Sequence, residues 1–170
     1  MNGRFSTLAA MLGGVTLLLT TAVAMPIPLY VWNASESVPL GLYRLRPADK
    51  LFVTELVAIK PPEPLATFLD LNGYLPVGIP MLKRVLALPG QTVCRTGRTI
   101  SVDKIDMGEA RERDSRGRPL PVWHGCRVVG EDELFLMNWQ SKDSLDGRYL
   151  GPIAASAVIG RAFPVWTEEE

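Results

Sequence analysis

A mainly β fold is what this sequence predicts: one antiparallel β-sheet domain behind a single N-terminal transmembrane helix. Three observations point to it. Arg4 is the only charge before Glu36, which leaves 31 uncharged residues near the start of the chain. Beyond them, short runs rich in Val, Ile, Leu and Phe alternate with Pro and Gly, the pattern of strands joined by turns. Only one later segment, residues 64–71, has the apolar spacing of a helix. At 170 residues there is room for one domain with a proper core.

Residues 5–25 form an uncharged, mainly apolar stretch of 21 positions. At about 1.5 Å per residue they reach roughly 31 Å, close to the thickness of a bilayer core. Pro26 and Pro28 end the run, and Tyr30 and Trp32 follow at the depth where interfacial aromatics sit. Ala22-Val23-Ala24 has the small-x-small form of a signal-peptide cleavage site, so a cleaved signal is the competing reading. The long apolar stretch, with only Arg4 ahead of it, favours an anchor. Residues 1–32 therefore read as a membrane anchor or uncleaved signal segment, and 33–170 as the domain on the far side. Arg44, Arg46 and Lys50 follow the span as Arg4 precedes it, so charge does not set its orientation.

Within the domain, residues 41–45 read as a first strand and Pro47-Ala48-Asp49 as its turn. Residues 51–59 form a second, ended by Pro61-Pro62. The helix over 64–71 stops at Gly73. Residues 81–88 are an apolar strand closed by Pro89-Gly90. Residues 95–121, with Gly97, Gly108 and Gly117, read as hairpins at the rim rather than core, and the charges over 109–114 as solvated surface. Residues 133–137 and 157–165 read as two more core strands, and Glu168-Glu169-Glu170 as a solvated tail.

Eighteen basic residues balance eighteen acidic ones. No basic excess exists to neutralise phosphates, which argues against nucleic acid as a partner. Cys94 and Cys126 are the only cysteines. In an exported domain they predict one disulfide, stabilising by roughly 3–4 kcal/mol on the chain-entropy account. The alternative is two buried thiols in a cytosolic domain. A zinc site from Cys94, His124 and Cys126 lacks paired ligand spacing, so no metal and no cofactor are expected.

His124 is the single histidine, so a serine–histidine nucleophile has little to draw on. A serine hydroxyl needs a base, and a desolvated lysine can serve. Pro39 and Gly41 place Ser37 in a tight turn. Ser35 and the Ser37 backbone N–H are candidate oxyanion donors. A linker of small polar residues is the plain alternative. Lys83 lies among Met81, Leu82, Val85 and Leu86, and in a strand it shares a face with Met81 and Val85. An ordinary lysine titrates near 10.4, so about one in a thousand is neutral at pH near 7.4. Burial lowers that barrier. An edge-strand lysine is the plain alternative here. Residues 138–151 are dense in hydrogen-bonding side chains: Asp146 and Arg148 are placed to pair, and Ser144 to orient a lysine amine. Such segments are more often surface loops.

Taken together and in this order, the three segments resemble the type I signal peptidase family with its Ser-Lys dyad. The likeness is greatest to the TraF-type conjugal-transfer peptidases. It rests on the anchor, Ser37-Val38-Pro39, Lys83-Arg84-Val85 with Leu88-Pro89-Gly90, and Asp143-Ser144-Leu145-Asp146-Gly147-Arg148-Tyr149. It implies a signal-peptidase-like catalytic domain with Ser37 as nucleophile and Lys83 as general base. Ser144 would support the lysine, Asp146 and Arg148 hold the site, and Ser35 serve the oxyanion. General signal peptidases carry Ser-Met-x-Pro, whereas proline here follows one position sooner, as in the TraF type. The chain also lacks the large second subdomain of some housekeeping enzymes. The resemblance implies a membrane-anchored serine endopeptidase of the bacterial inner membrane, its catalytic domain periplasmic. The implied substrate is a signal, leader or pro-pilin peptide for conjugative pilus assembly, with pilin cyclisation in some members and type IV secretion components as companions. A general or accessory signal peptidase of the secretory pathway is the alternative, and a non-enzymatic pilus-assembly scaffold a more distant one.

Overall fold

A computed structural model describes residues 2–23 and 28–168. Helix α1 (Asn2–Val23) comes first, and every described side chain on it is exposed. Thr16 and Thr20 donate back to the carbonyls of Leu12 and Leu17, at 2.8 and 2.9 Å. Among the described residues no helix is long and apolar enough to cross a membrane. The expected transmembrane span over 5–25 therefore has helical form to Val23 but no further structural support. Its expected end at Met25 and Pro26, Ala24 of the alternative cleavage site, and Glu169 and Glu170 of the tail lie outside the described residues.

Strand β1 (Tyr30–Asn33) pairs antiparallel with β2 (Gly41–Arg46), Tyr30 opposite Arg44 and Asn33 opposite Gly41. Tyr30 and Trp32, expected at a membrane interface, are thus paired into the sheet, ahead of the boundary expected at 33. The two-residue period turns Tyr30 and Trp32 outward and Val31 and Asn33 inward. Strand β3 (Leu56–Ile59) is shorter than the expected 51–59. Residues 53–54 form a turn, and the Thr54 N–H donates to Val85 O at 2.7 Å across it. Phe52 and Val53 end up exposed, so hydrophobicity alone misread them as strand. Helix α2 (Leu65–Leu71) stands where its spacing placed it, burying Ala66 and Leu69.

Strand β4 (Met81–Ala87) pairs with β3, Lys83 opposite Val57, and on its other side with β9 (Glu133–Leu136). Short β10 (Ile153–Ala154) edges the sheet, and the long β11 (Val158–Thr167) lies between β2 and β3. The sheet order is β1-β2-β11-β3-β4-β9-β10. At Gly41 a Cβ would sit 2.1 Å from Trp166 O, so only glycine lets β11 close on β2 there.

A second, four-stranded antiparallel sheet comes from β5 (Thr92–Thr96), β6 (Thr99–Val102), β7 (Ile105–Glu109) and β8 (Gly125–Val128), in the order β7-β6-β5-β8. The hairpins expected over 95–121 are present, β5 with β6 and β6 with β7, but the expectation that they stay at the rim is corrected here. Val93, Ile100 and Val102 are buried in one cluster with Leu86, Phe135 and Met137. Polar residues dominate this segment, yet alternate positions of β5 and β6 point inward, which is enough for a core face. Cys94 and Cys126 are direct cross-strand partners on β5 and β8 and are joined by a disulfide. That bond takes both sulfurs out of any zinc ligand set.

Candidate active site

Ser37 lies in the turn between β1 and β2, and Asn33 builds that turn. The Asn33 side chain is buried and donates to the carbonyls of Ser35, Val38 and Pro39 at 2.8, 2.9 and 3.0 Å. Its carbonyl oxygen accepts from the Ser35 N–H at 3.3 Å and the Ser35 hydroxyl at 3.0 Å. Tyr43 OH adds a 2.7 Å bond to Pro39 O. The Ser37 and Ser35 hydroxyl oxygens are 3.0 Å apart. With the Ser35 proton on Asn33, the proton between the two serines belongs to Ser37. Ser35 must therefore leave Asn33 to act as an oxyanion donor. Asn33 was missed in the sequence; a polar residue at an inward strand position, four before the serine, is its only trace.

Lys83 is on β4 and only 4% exposed. Lys83 lies opposite Val57 on the sheet face of the cluster that holds Val57 and Val85, whereas Val38, beside Ser37, packs with Leu82 on the other face. Burial pushes the Lys83 amine down from 10.5 to about 8, with Arg148 adding to the effect and Asp146 opposing it. At pH near 7.4 roughly a fifth of such amines are neutral, against about one in a thousand for a free lysine. Lys83 Nζ donates to Ser144 Oγ at 2.8 Å. Among the described residues no hydrogen bond links Ser37 to Lys83: each hydroxyl or amine faces its own supporting serine.

Ser144, Asp146 and Arg148 are all buried. Asp146 caps helix α3 (Gly147–Leu150) through the Arg148 N–H and forms two 2.9 Å bonds with its guanidinium. Arg148 also donates to Ser141 O at 2.6 Å and Ser144 O at 3.2 Å, so it grips the loop that carries Ser144. A Cβ on Gly147 would lie 2.6 Å from Leu136 O, so glycine is what lets this turn approach β9. Arg95, buried on β5, donates to Arg148 O at 2.6 Å and ties the smaller sheet to the same loop. Arg95 too went unnoticed, because a lone arginine in a turn-rich stretch looks like surface. His124 is exposed.

The buried lysine has a consequence for stability that does not depend on its role. Its folded pKa is depressed, so the folded protein holds the proton less tightly than the unfolded chain. Stability therefore rises with pH between about 8 and 10.5, and the full cost of burying the cation is present below 8. Lys83→Met should raise stability at pH 7 by about 1–3 kcal/mol. Its advantage should shrink as pH rises past 8. Denaturant unfolding across pH 6–10 measures this, and a less stable Met variant at pH 7 would contradict it.

The family model for signal peptidase, peptidase S26, matches residues 3–167. The chain belongs to the peptidase S26 signal peptidase family. A conjugal transfer protein TraF from Agrobacterium fabrum is 36% identical over 92% of this chain and 93% of its own length. A probable conjugal transfer protein TraF from Sinorhizobium fredii is 36% identical over 81% of this chain and 77% of its own. A plasmid transfer protein TraF from Escherichia coli is 32% identical over 96% of this chain and 97% of its own. A solved signal peptidase I from Enterococcus faecalis aligns with 66% of this chain and 97% of its own at 18% identity and a TM-score of 0.40, too distant to weigh in the assignment. The recognition made from the three motifs thus agrees with membership of the S26 family.

Proposed function

We propose that this S26 peptidase is a membrane-anchored serine endopeptidase that cleaves a leader or pilin precursor for conjugative transfer. The observation that carries the reading is Lys83: a lysine 4% exposed, held by Ser144 and lowered to about 8. A lysine in that state can accept a proton near neutral pH. Ser37 Oγ attacks the scissile carbonyl as its proton passes to Lys83 Nζ. The C–N bond breaks, the lysine proton goes to the leaving amine, and an acyl-enzyme remains. Water then releases the acid. If the substrate's own amino end attacks instead, the product is a cyclic peptide. The conjugal-transfer and plasmid-transfer names of the relatives support a substrate that serves conjugation.

The membrane reading rests on residues 5–25 of the sequence and on an aromatic surface beside the serine turn. Trp32 stacks on Trp166 with ring centroids 5.8 Å apart. Leu29, Tyr30, Phe163 and Val165 are exposed as well. Val31, which alternates with Tyr30 and Trp32, faces the core and takes no part in this surface. In this reading the domain faces the periplasm at the inner membrane, where a precursor presents its cleavage site just beyond its own apolar segment.

The test compares full-length enzyme with a form lacking residues 1–25, on one precursor, in liposomes and in detergent. Both should cleave in detergent, and the truncated form should be slower in liposomes by roughly tenfold or more, the scale on which tethering raises local concentration. Equal liposome rates would remove the anchor from the reading; no cleavage by either would remove the peptidase. A general signal peptidase remains the second reading because the family model itself is that of signal peptidases. Rescue of export in a strain depleted of its own signal peptidase would favour it.

A further inference from the structure

Strand β9 ends at Leu136 although β4 still has edge groups to satisfy beside Lys83. Its last main-chain contact in that direction is Met137 N–H to Arg84 O at 2.9 Å. Beyond it, the Asn138 side chain takes over. Its carbonyl oxygen accepts the Arg84 N–H at 2.9 Å, and its amide donates to Leu82 O at 3.1 Å. These are the groups immediately before and after Lys83. Meanwhile the Asn138 main chain turns away: its N–H donates to Asp146 at 3.0 Å and its carbonyl accepts from Arg148 at 3.4 Å. The residue is 2% exposed.

We propose that Asn138 is a positioning residue for Lys83: its side chain stands in for the missing strand beside the lysine, so that the main chain is free to carry Ser144 back to the lysine amine. This rests on the Ser37–Lys83 reading above. The other edge of β4 is held by β3, Val57 opposite Lys83, so the backbone at 82–84 is clamped from both sides. With the strand unable to twist, the lysine side chain leaves on one face, toward Ser144. The task needs a donor and an acceptor on one short planar group, spaced like those of a peptide. Aspartate supplies no donor and alanine neither. In this arrangement one side chain joins the two halves of the site, the base on β4 and the 144–148 loop that orients it.

The test is steady-state cleavage of a precursor by Asn138→Ala and the near-isosteric Asn138→Asp, with unfolding curves on the same preparations. Both should lose about 100-fold in kcat with KM little changed, the scale expected for a misplaced reacting group. The ascending limb of the pH–rate profile should move to higher pH in both. Loosened packing lets water reach Lys83 in the Ala variant, and a carboxylate holds the lysine proton in the Asp variant. A residue that only stabilised the fold would lower the unfolding midpoint and leave that limb in place. Should Asn138→Ala fail to fold, Asn138→Asp carries the test alone. A kcat within about threefold of wild type and an unmoved limb, alongside an inactive Lys83→Ala, would overturn this inference and leave the dyad standing. An active Lys83→Ala would overturn the site reading itself.

Discussion

Ser37→Ala and Lys83→Ala should each lower precursor cleavage by at least about 10⁴-fold. Both should remain folded, since Ser37 is in a turn and Lys83 costs stability at neutral pH. Their effects should not add, because nucleophile and base act in one step. Lys83→Arg should be as inactive as Lys83→Ala, since a guanidinium does not give up its proton under these conditions. For the unaltered enzyme, kcat/KM should rise with pH and level off above about 8, as the lysine becomes neutral. His124→Ala should retain activity. The measurement is release of the mature product from one purified precursor, followed by mass. Cleavage by Ser37→Ala near the wild-type rate would sink the nucleophile assignment.

Removing either member of the Asp146–Arg148 pair should cost about 3–5 kcal/mol of stability, because each is buried and would be left as an uncompensated charge. The pair also acts on Lys83 with opposite signs: Asp146 favours its protonated form and Arg148 disfavours it. The two losses therefore shift the lysine in opposite directions. Asp146→Asn should move the ascending limb of the rate profile to lower pH. Arg148→Met should move it to higher pH and recover part of its lost rate in alkaline buffer. Arg148→Lys should not restore wild-type behaviour, because a point charge cannot grip Asp146, Ser141 O and Ser144 O at once. Limbs shifted the same way in both variants would show that loss of shape, not charge, dominates. Denaturant melts and pH–rate profiles on the two variants supply both readouts.

Much of this was legible in the chain because local chemistry decides it. Alternating apolar runs broken by Pro and Gly gave β2, β4, β9 and β11, and the spacing of Leu65, Leu69 and their neighbours gave α2. Lys83 stood out because a cation inside an apolar strand is costly unless it is used. Ser144, Asp146 and Arg148 stood out only as a dense polar run after that strand, and their burial was not readable there. Cys94 and Cys126 paired because an export reading left them one sensible partner each. The misreadings share a cause as well. Ile100 and Val102 looked too sparse for a core, yet with Val93, Leu86 and Phe135 they form one, because two sheets pool their inward faces. The roles of Asn33, Arg95 and Asn138 are barely visible in one dimension. Each is an ordinary polar residue whose importance comes from backbone groups 2 to 56 positions away in the chain. The sequence by itself determined which residues can do chemistry: one serine in a turn, one lysine in an apolar strand, and a polar loop to serve it. Only the tertiary structure decided how they are held. Hydrogen bonds at about 3 Å are directional and short-ranged. Which carbonyl an asparagine reaches, and which amine a serine faces, is settled when distant strands pair.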